Sequence, residues 1–217
     1  MKVGTDAVLL GAWAPGGKRI LDIGCGTGII ALMMAQRFPD AKVSAVDIDA
    51  DCCSQATENV AASPFADRID VHCQPIQQYS GENDYDAIVS NPPFFVNALK
   101  SPDEKRSLAR ATDHLPYHDL FAAVSRLLSP DGVFSAVIPT DMEEAFTMEG
   151  FLVGLRLAAK VFVRTVPRKQ PKRILVSFSQ VPDKHRSLEP FGTTVEMKDE
   201  NGTTSQWLSG LTKDFYL

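Results

Sequence analysis

Apolar positions along this chain change period as it proceeds. Short runs rich in β-branched residues alternate with longer stretches in which apolar side chains recur at helical spacing. The runs predict strands at Arg19–Ile23, Lys42–Asp47, Arg68–His72, Tyr85–Ser90 and Gly132–Ile138. The stretches predict helices near Ile29–Phe38, Asp51–Ala61, Tyr117–Leu128 and Met142–Leu152. Pro39-Asp40, Ser63-Pro64 and Ser129-Pro130-Asp131-Gly132 punctuate them. Strand and helix in regular turn imply βαβ units, hence an α/β fold with a mostly parallel sheet. After Gly154 the pattern changes. Leu157–Val166 and Arg173–Val181 both read as β and predict an antiparallel hairpin closing one sheet edge. Asn201-Gly202 marks a second hairpin turn, and Gln206–Leu217 reads as a short helix or tail. No repeat, low-complexity tract or second domain interrupts the pattern.

The strand at Tyr85–Ser90 runs directly into Asn91-Pro92-Pro93-Phe94. The two prolines fix φ and remove N–H donors, and each holds the residue before it extended. What remains is a stiff corner of acceptors, the Asn91 side-chain oxygen and the Pro92 carbonyl, beside the Phe94 ring. Such a corner suits a planar group that carries an NH2, a flipped base or an amide. The plainer alternative is a stiff turn with no chemistry. Phe95 beside it reads either as core or as a substrate contact.

A second constellation begins at Asp22. The strand there enters Gly24-Cys25-Gly26-Thr27-Gly28 and then a helix. Glycines let backbone approach a ligand closely, and a helix N-terminus adds N–H donors. The spacing is D-x-G-x-G-x-G, not the G-x-G-x-x-G of dinucleotide enzymes. Asp22 would repel a pyrophosphate and could hold an ammonium. Asp47 lies about 20 residues beyond Gly28 at the end of the next strand, where a carboxylate can accept both hydroxyls of a ribose; Ile48 follows it. Gln74 and Ile76, after the third strand, stand where an adenine would lie. The loop therefore asks for a ribose, an amino group and a carboxylate without a phosphate, and S-adenosylmethionine fits. Thr5-Asp6 precedes an apolar helix, where either residue reads as an N-cap or as a wall of that pocket. Asn91 would complete the pocket from the other side.

Composition adds limits. The chain has 217 residues, 44% hydrophobic and 23% charged, enough for one domain with a sizeable core. Its net charge of −5 gives no overall nucleic-acid signal, so any basic surface must be local. Two local sets exist. From Gly150 to Pro182 every charge is positive, clustering at Arg168, Lys169, Lys172 and Arg173 around the hairpin turn. Lys100, Lys105, Arg106 and Arg110 follow the Asn91 corner, mixed with Asp103 and Glu104. Either set can contact RNA phosphates or be ordinary solvated surface. Cys25, Cys52, Cys53 and Cys73 form no C-x-x-C pair and read as reduced residues, with no metal site. With no leader and no apolar run of membrane length, a cytoplasmic monomer without a membrane partner is expected. His114 and His118 read as surface residues. Met142, Met148 and the aromatics near Phe146 read as core.

The glycine loop and Asn91-Pro92-Pro93-Phe94 resemble the cofactor and amino-methyltransferase motifs of the class I, Rossmann-like methyltransferases. Lys2-Val3-Gly4-Thr5-Asp6, Gly11-Ala12-Trp13-Ala14, Phe95 and the tail Leu211–Leu217 narrow the likeness. Over nearly the whole chain it resembles the bacterial tRNA (adenine-N6) methyltransferases that modify the adenine 3′ of the anticodon in a valine tRNA. The resemblance implies a mostly parallel seven-stranded sheet with helices on both faces, S-adenosylmethionine as cofactor and tRNA as substrate. It also implies a cofactor-covering helix within 1–18, a cofactor-binding core at 19–139 and a sheet-closing part with the basic hairpin at 140–217. Relatives usually carry residues ahead of the Lys2–Asp6 segment that help cover the cofactor. Here Met1 stands almost immediately before it, so a late or truncated start with weakened cofactor binding is the matching expectation. The competing readings are methylation of a glutamine amide in protein, of a guanine amine in ribosomal RNA, and a non-catalytic RNA- or nucleotide-binding module. Glutamine methylation usually comes with a tyrosine after the prolines and a helical N-terminal domain, which this chain lacks. The glycine spacing disfavours a nicotinamide oxidoreductase.

Overall fold

The structure is a computed structural model that describes residues 4–80, 85–93, 115–181 and 190–215. One sheet organises it, built from β1 (Arg19–Ile23), β2 (Lys42–Asp47), β3 (Ile69–Cys73), β4 (Tyr85–Ser90), β5 (Leu128–Pro139), β6 (Arg156–Arg164), β7 (Arg173–Ser179) and β8 (Thr193–Glu196). The order across it is β3-β2-β1-β4-β5-β7-β6-β8. β7 runs antiparallel to β5 and β6, and every other pairing is parallel. Helices α1 (Thr5–Trp13), α2 (Ile29–Arg37), α3 (Ala50–Ala61), α4 (Tyr117–Leu127), α5 (Glu143–Leu152) and α6 (Gln206–Thr212) complete it.

Both faces of the sheet are covered, so its central strands are apolar on both sides. Ile20 and Val89 pack with Leu10 of α1, Met34 of α2 and Val60 of α3 on one face. Leu21 and Ile88 pack with Leu120 of α4 and Phe146 of α5 on the other. On that second face Phe121, Phe134, Phe146 and Phe178 are all fully buried. Phe121 meets the other three edge-on at 4.8–5.3 Å between ring centroids, a geometry that favours aromatic pairs. Gly150 lets α5 close on this cluster, because a Cβ there would sit 2.8 Å from the Phe178 ring.

Three features differ from the sequence expectation. The sheet has eight strands, not seven. Thr193–Glu196 holds only one buried position, Val195, and is held as a strand by parallel pairing with Val161–Arg164. β5 begins at Leu128 rather than Gly132. Leu128 pairs with Tyr85, and a register shift absorbs the residues up to Val133, which pairs with Ala87. Met148 is 54% exposed, on the outer side of α5, and is not core. The turn at Asn201-Gly202 is present. It is closed by Asp199, whose Oδ1 accepts from Asn201 N and Thr203 N, and by one isolated bridge, Lys198 to Thr204. No described helix is long and apolar enough to cross a membrane.

Candidate active site

β1 and β4 are neighbours in the sheet although β2 and β3 separate them in sequence. Strand order reverses there, and the carboxyl ends of the strands open a crevice. A cavity of about 600 Å³ fills it, within the size range of ligand pockets. Gly24, Cys25, Gly26 and Thr27 wall it after β1, Asp47 and Ile48 after β2, and Gln74 to Gln77 after β3. Asn91, Pro92 and Pro93 close it after β4, with Leu115, Pro116 and Asp119 at the start of α4 and Gly4 and Ala7 at the start of α1.

The loop after β1 turns through positive φ at Gly24 (70°), Gly26 (55°) and Gly28 (77°), a region that side chains rarely adopt. A Cβ at Gly24 or Gly26 would meet nothing within 4 Å, and both residues line the cavity. Gly24 N and Cys25 N donate to Val46 O at 2.8 and 3.1 Å. Gly26 N donates to Asp47 Oδ2 at 2.8 Å, and Asp49 N to Asp47 Oδ1 at 3.0 Å. Asp47 Oδ2 thus fastens the loop to β2 while Oδ1 holds the turn that follows β2, which leaves each oxygen a further acceptor site.

Asp22 sits beneath this loop, fully buried, and not on the cavity wall. Its Oδ2 accepts from Ala31 N at 3.1 Å, in the first turn of α2. Gly28, the N-cap of α2, has no side chain to do this, so β1 supplies the cap. Burial pushes the Asp22 carboxyl from the usual 3.8 up to about 7; the Ala31 N–H opposes the rise and the Asp47 charge adds to it. Direct contact between Asp22 and a ligand's ammonium, expected from sequence, does not follow from this placement.

At the end of β4, Ser90 Oγ donates to Ile23 O at 2.8 Å, which locks the Asn91 corner beside the glycine loop. Asn91 Oδ1 is buried and has no hydrogen-bond partner among the described residues. Phe94, Phe95, Lys100, Lys105, Arg106, Arg110 and His114 lie outside the described residues.

Of the other expected cofactor residues, Cys25, Gln74 and Ile76 line the cavity, whereas Thr5 and Gly28 do not. Gly4, rather than Thr5 or Asp6, is the N-cap of α1 and makes no side-chain bond. Sequence reading missed Gln77 and Asp119. Both line the cavity, and Gln77 Nε2 donates to Asp119 Oδ2 at 2.9 Å. It also missed Arg126, which donates to Tyr79 O and Ile76 O at 2.8 and 3.1 Å and pins the turn that carries Ile76. These contacts join segments distant in sequence, and no local pattern marks them. His118 is exposed beside Asp119, at 2.8 Å.

Two thiols, Cys25 and Cys52, line the cavity. Burial pushes Cys25 well above its ordinary value, Cys52 up to about 11 and Cys53 up to about 12, so each stays protonated at neutral pH. Among the described residues no cluster of His, Cys, Asp and Glu could hold a metal.

The β6–β7 turn emerges at the same edge as the cavity, because β5 and β7 pair Pro139 with Arg173 at their ends there. Arg168, Lys169 and Lys172 are exposed. Arg173 is not a free cation: its Nε donates to Asp6 Oδ2 at 2.7 Å, joining β7 to α1. Lys160 and Arg164 are paired likewise, with Glu143 and Glu196.

A glycine loop after the first strand, a carboxylate after the second and a cavity at the switch point define a class I, Rossmann-like methyltransferase. Solved structures agree on the fold. A predicted O-methyltransferase from Agrobacterium tumefaciens superposes with a TM-score of 0.73 at 16% identity, covering 96% of both chains. A TehB-like SAM-dependent methyltransferase from Corynebacterium glutamicum gives 0.55 at 20% identity, covering 83% of this chain and 89% of that one.

The chain belongs to the methyltransferase small domain family, whose sequence model matches residues 3–162. Relatives named tRNA1(Val) (adenine(37)-N6)-methyltransferase are close. That of Phocaeicola vulgatus is 48% identical, covering 100% of this chain and 91% of its own. That of Bacteroides fragilis is 50% identical, covering 82% and 77%. That of Parabacteroides distasonis is 43% identical, covering 100% and 91%.

Proposed function

We propose that this chain transfers a methyl group from S-adenosylmethionine to the N6 amine of an adenine in tRNA, the adenine 3′ of the anticodon in a valine tRNA. The observation that carries the reading is Asn91 Oδ1, a buried acceptor without a partner among the described residues, in a residue that walls the cavity. Leaving such an atom unpaired costs about 1–3 kcal/mol, and an incoming NH2 group relieves it. The name shared by the close relatives favours adenine in tRNA over guanine or a glutamine amide.

The residues present fit the cofactor. Gly24 and Gly26 leave open the space that side chains would fill. Asp47 keeps one acceptor site per oxygen for ribose hydroxyls, and Gln74 and Ile76 wall the side assigned to adenine. When bound, S-adenosylmethionine supplies an electrophilic methyl group on a sulfonium.

The adenine amine is a weak nucleophile because its lone pair is delocalised into the ring. Asn91 Oδ1 and the Pro92 carbonyl accept its two N–H bonds and turn the lone pair out of the ring plane. The same acceptors stabilise positive charge as it grows on nitrogen. No strong base is required, since the alkylated amine loses its proton readily to water. Alignment alone can supply roughly 7–11 kcal/mol of the barrier reduction. Phe94 is the ring assigned to stack on the base, a contact worth about 1–3 kcal/mol. An anticodon-loop base is already unpaired or nearly so, which lowers the cost of extrusion. With tRNA as substrate the compartment of action is the cytoplasm, and a monomer suffices.

The test is incubation with methyl-labelled cofactor and total tRNA from a strain lacking the enzyme, followed by nucleoside analysis. Label in N6-methyladenosine is the expected result. Label in a guanosine, or only in protein, overturns the reading.

A further inference from the structure

The carboxyl edge of the sheet continues past the cavity. Thr140, just after β5, donates from N to Lys172 O and from Oγ1 to Pro171 O, both at 3.3 Å. The β6–β7 turn is therefore fastened to the strand end next to Asn91. On its far side Lys198 N donates to Thr165 O at 2.9 Å, which brings the second residue after β8 against the same turn. Arg168, Lys169, Lys172 and Lys198 are exposed and make no ion pair among the described residues. Of the acids near them, Asp6 pairs with Arg173, Glu196 with Arg164, and Asp199 accepts from Thr203 and Asn201, while Asp141 and Glu200 are exposed. The result is a strip of free cations on a chain whose net charge is −5, on the edge that carries the cavity.

We propose that Arg168, Lys169, Lys172 and Lys198 form a phosphate-binding strip that holds the RNA strand beside its target base, with Arg173 excluded from it. The proposal rests on the RNA reading above and assigns its surface. From β4 to β8 there are four strand spacings, about 19 Å at roughly 4.8 Å each. That spans about five or six nucleotides at roughly 3.4 Å each. The strip therefore grips phosphates several nucleotides from the base at Asn91, and its contacts position without reading sequence.

The experiment compares wild type with the Arg168→Ala, Lys169→Ala, Lys172→Ala, Lys198→Ala variant. Binding of an anticodon stem-loop RNA is titrated from low to high salt, alongside methyl transfer and cofactor affinity. Four lost single-strand contacts should flatten the log–log salt slope by about 3. KM for RNA should rise at least tenfold at moderate salt, while kcat at saturation and the cofactor Kd stay unchanged. An unaltered salt slope in a variant that still methylates RNA overturns the strip and leaves the proposed activity standing. Wild type that binds RNA with the steep slope yet transfers no methyl group overturns the activity and leaves the strip. Loss of binding to anionic phospholipid vesicles, with RNA binding intact, reassigns the strip to a membrane and also overturns it.

Discussion

Asn91 acts through one atom, and that makes it separable from the rest of the site. Its Oδ1 has no partner among the described residues, so that atom is available to a substrate. Asn91→Ala should lower methyl transfer by about 10²–10³-fold, the usual loss when one charge-stabilising hydrogen-bonding group is removed. Cofactor Kd by calorimetry should stay within about threefold. Activity near wild type would show that the corner is only a turn. Asp22 differs: its Oδ2 caps α2 at Ala31 N, and its Oδ1, like that of Asn91, has no partner among the described residues. Its folded pKa, about 7, lies above the usual 3.8. Between those values the folded state keeps a proton that the unfolded chain has released, so stability falls as pH rises through this window and levels off above it. Asp22→Asn keeps an acceptor for Ala31 N and removes the charge. The melting temperature of the variant minus that of wild type should therefore grow by several degrees from pH 5 to pH 8. A difference that is flat with pH would mean that Asp22 stays ionised in the folded protein.

At the level of elements, α1 and β7 meet through residues 167 positions apart, Asp6 and Arg173. Gly4 and Ala7 of α1 wall the cavity, so this partly exposed pair bears on the cofactor and not on RNA. Such pairs contribute at most about 1 kcal/mol. Arg173→Ala should raise the cofactor Kd by up to about fivefold and leave the salt slope of RNA binding unchanged. The exchange Asp6→Arg with Arg173→Asp should restore affinity; a change in salt slope instead would return Arg173 to the RNA surface. Sequence alone placed Arg173 with its basic neighbours, because a run of charges does not say which one faces an acid. The same limit explains β8, whose pairing with β6 makes Thr193–Glu196 a strand, and the start of β5, where a register shift hides a turn-like Ser-Pro-Asp-Gly inside the strand. By contrast β1, β2, β4 and the β6–β7 hairpin were legible, since their apolar runs and bounding glycines and prolines are local signals. The Gly24, Asp47, Gln74 and Asn91 walls were legible for the same reason. Gln77, Asp119 and Arg126 were not, because each acts through a tertiary contact.

For the molecule as a whole, the cavity is the place where its parts meet. Loops after β1, β2, β3 and β4, together with the starts of α1 and α4, all contribute to its wall. These segments draw on both cores, the one behind α1 and α2 and the one behind α4 and α5. A ligand bound there bridges the two halves and is linked to global unfolding by mass action. At a hundred times its Kd, S-adenosylmethionine should add about 2.7 kcal/mol. For a chain of this length that is roughly 5–11 °C in melting temperature. Adenosine, which lacks the amino acid portion, should give less at equal concentration, because it leaves the Gly24–Gly26 and α1 side unfilled. A nicotinamide dinucleotide should give much less, since the D-x-G-x-G-x-G loop departs from the G-x-G-x-x-G spacing that cradles a pyrophosphate. Thermal melts with the three ligands decide the matter. Stabilisation by the dinucleotide equal to that by S-adenosylmethionine would refute the cofactor assignment, whereas Asn91→Ala should shift as wild type does, because its missing atom is assigned to the substrate amine.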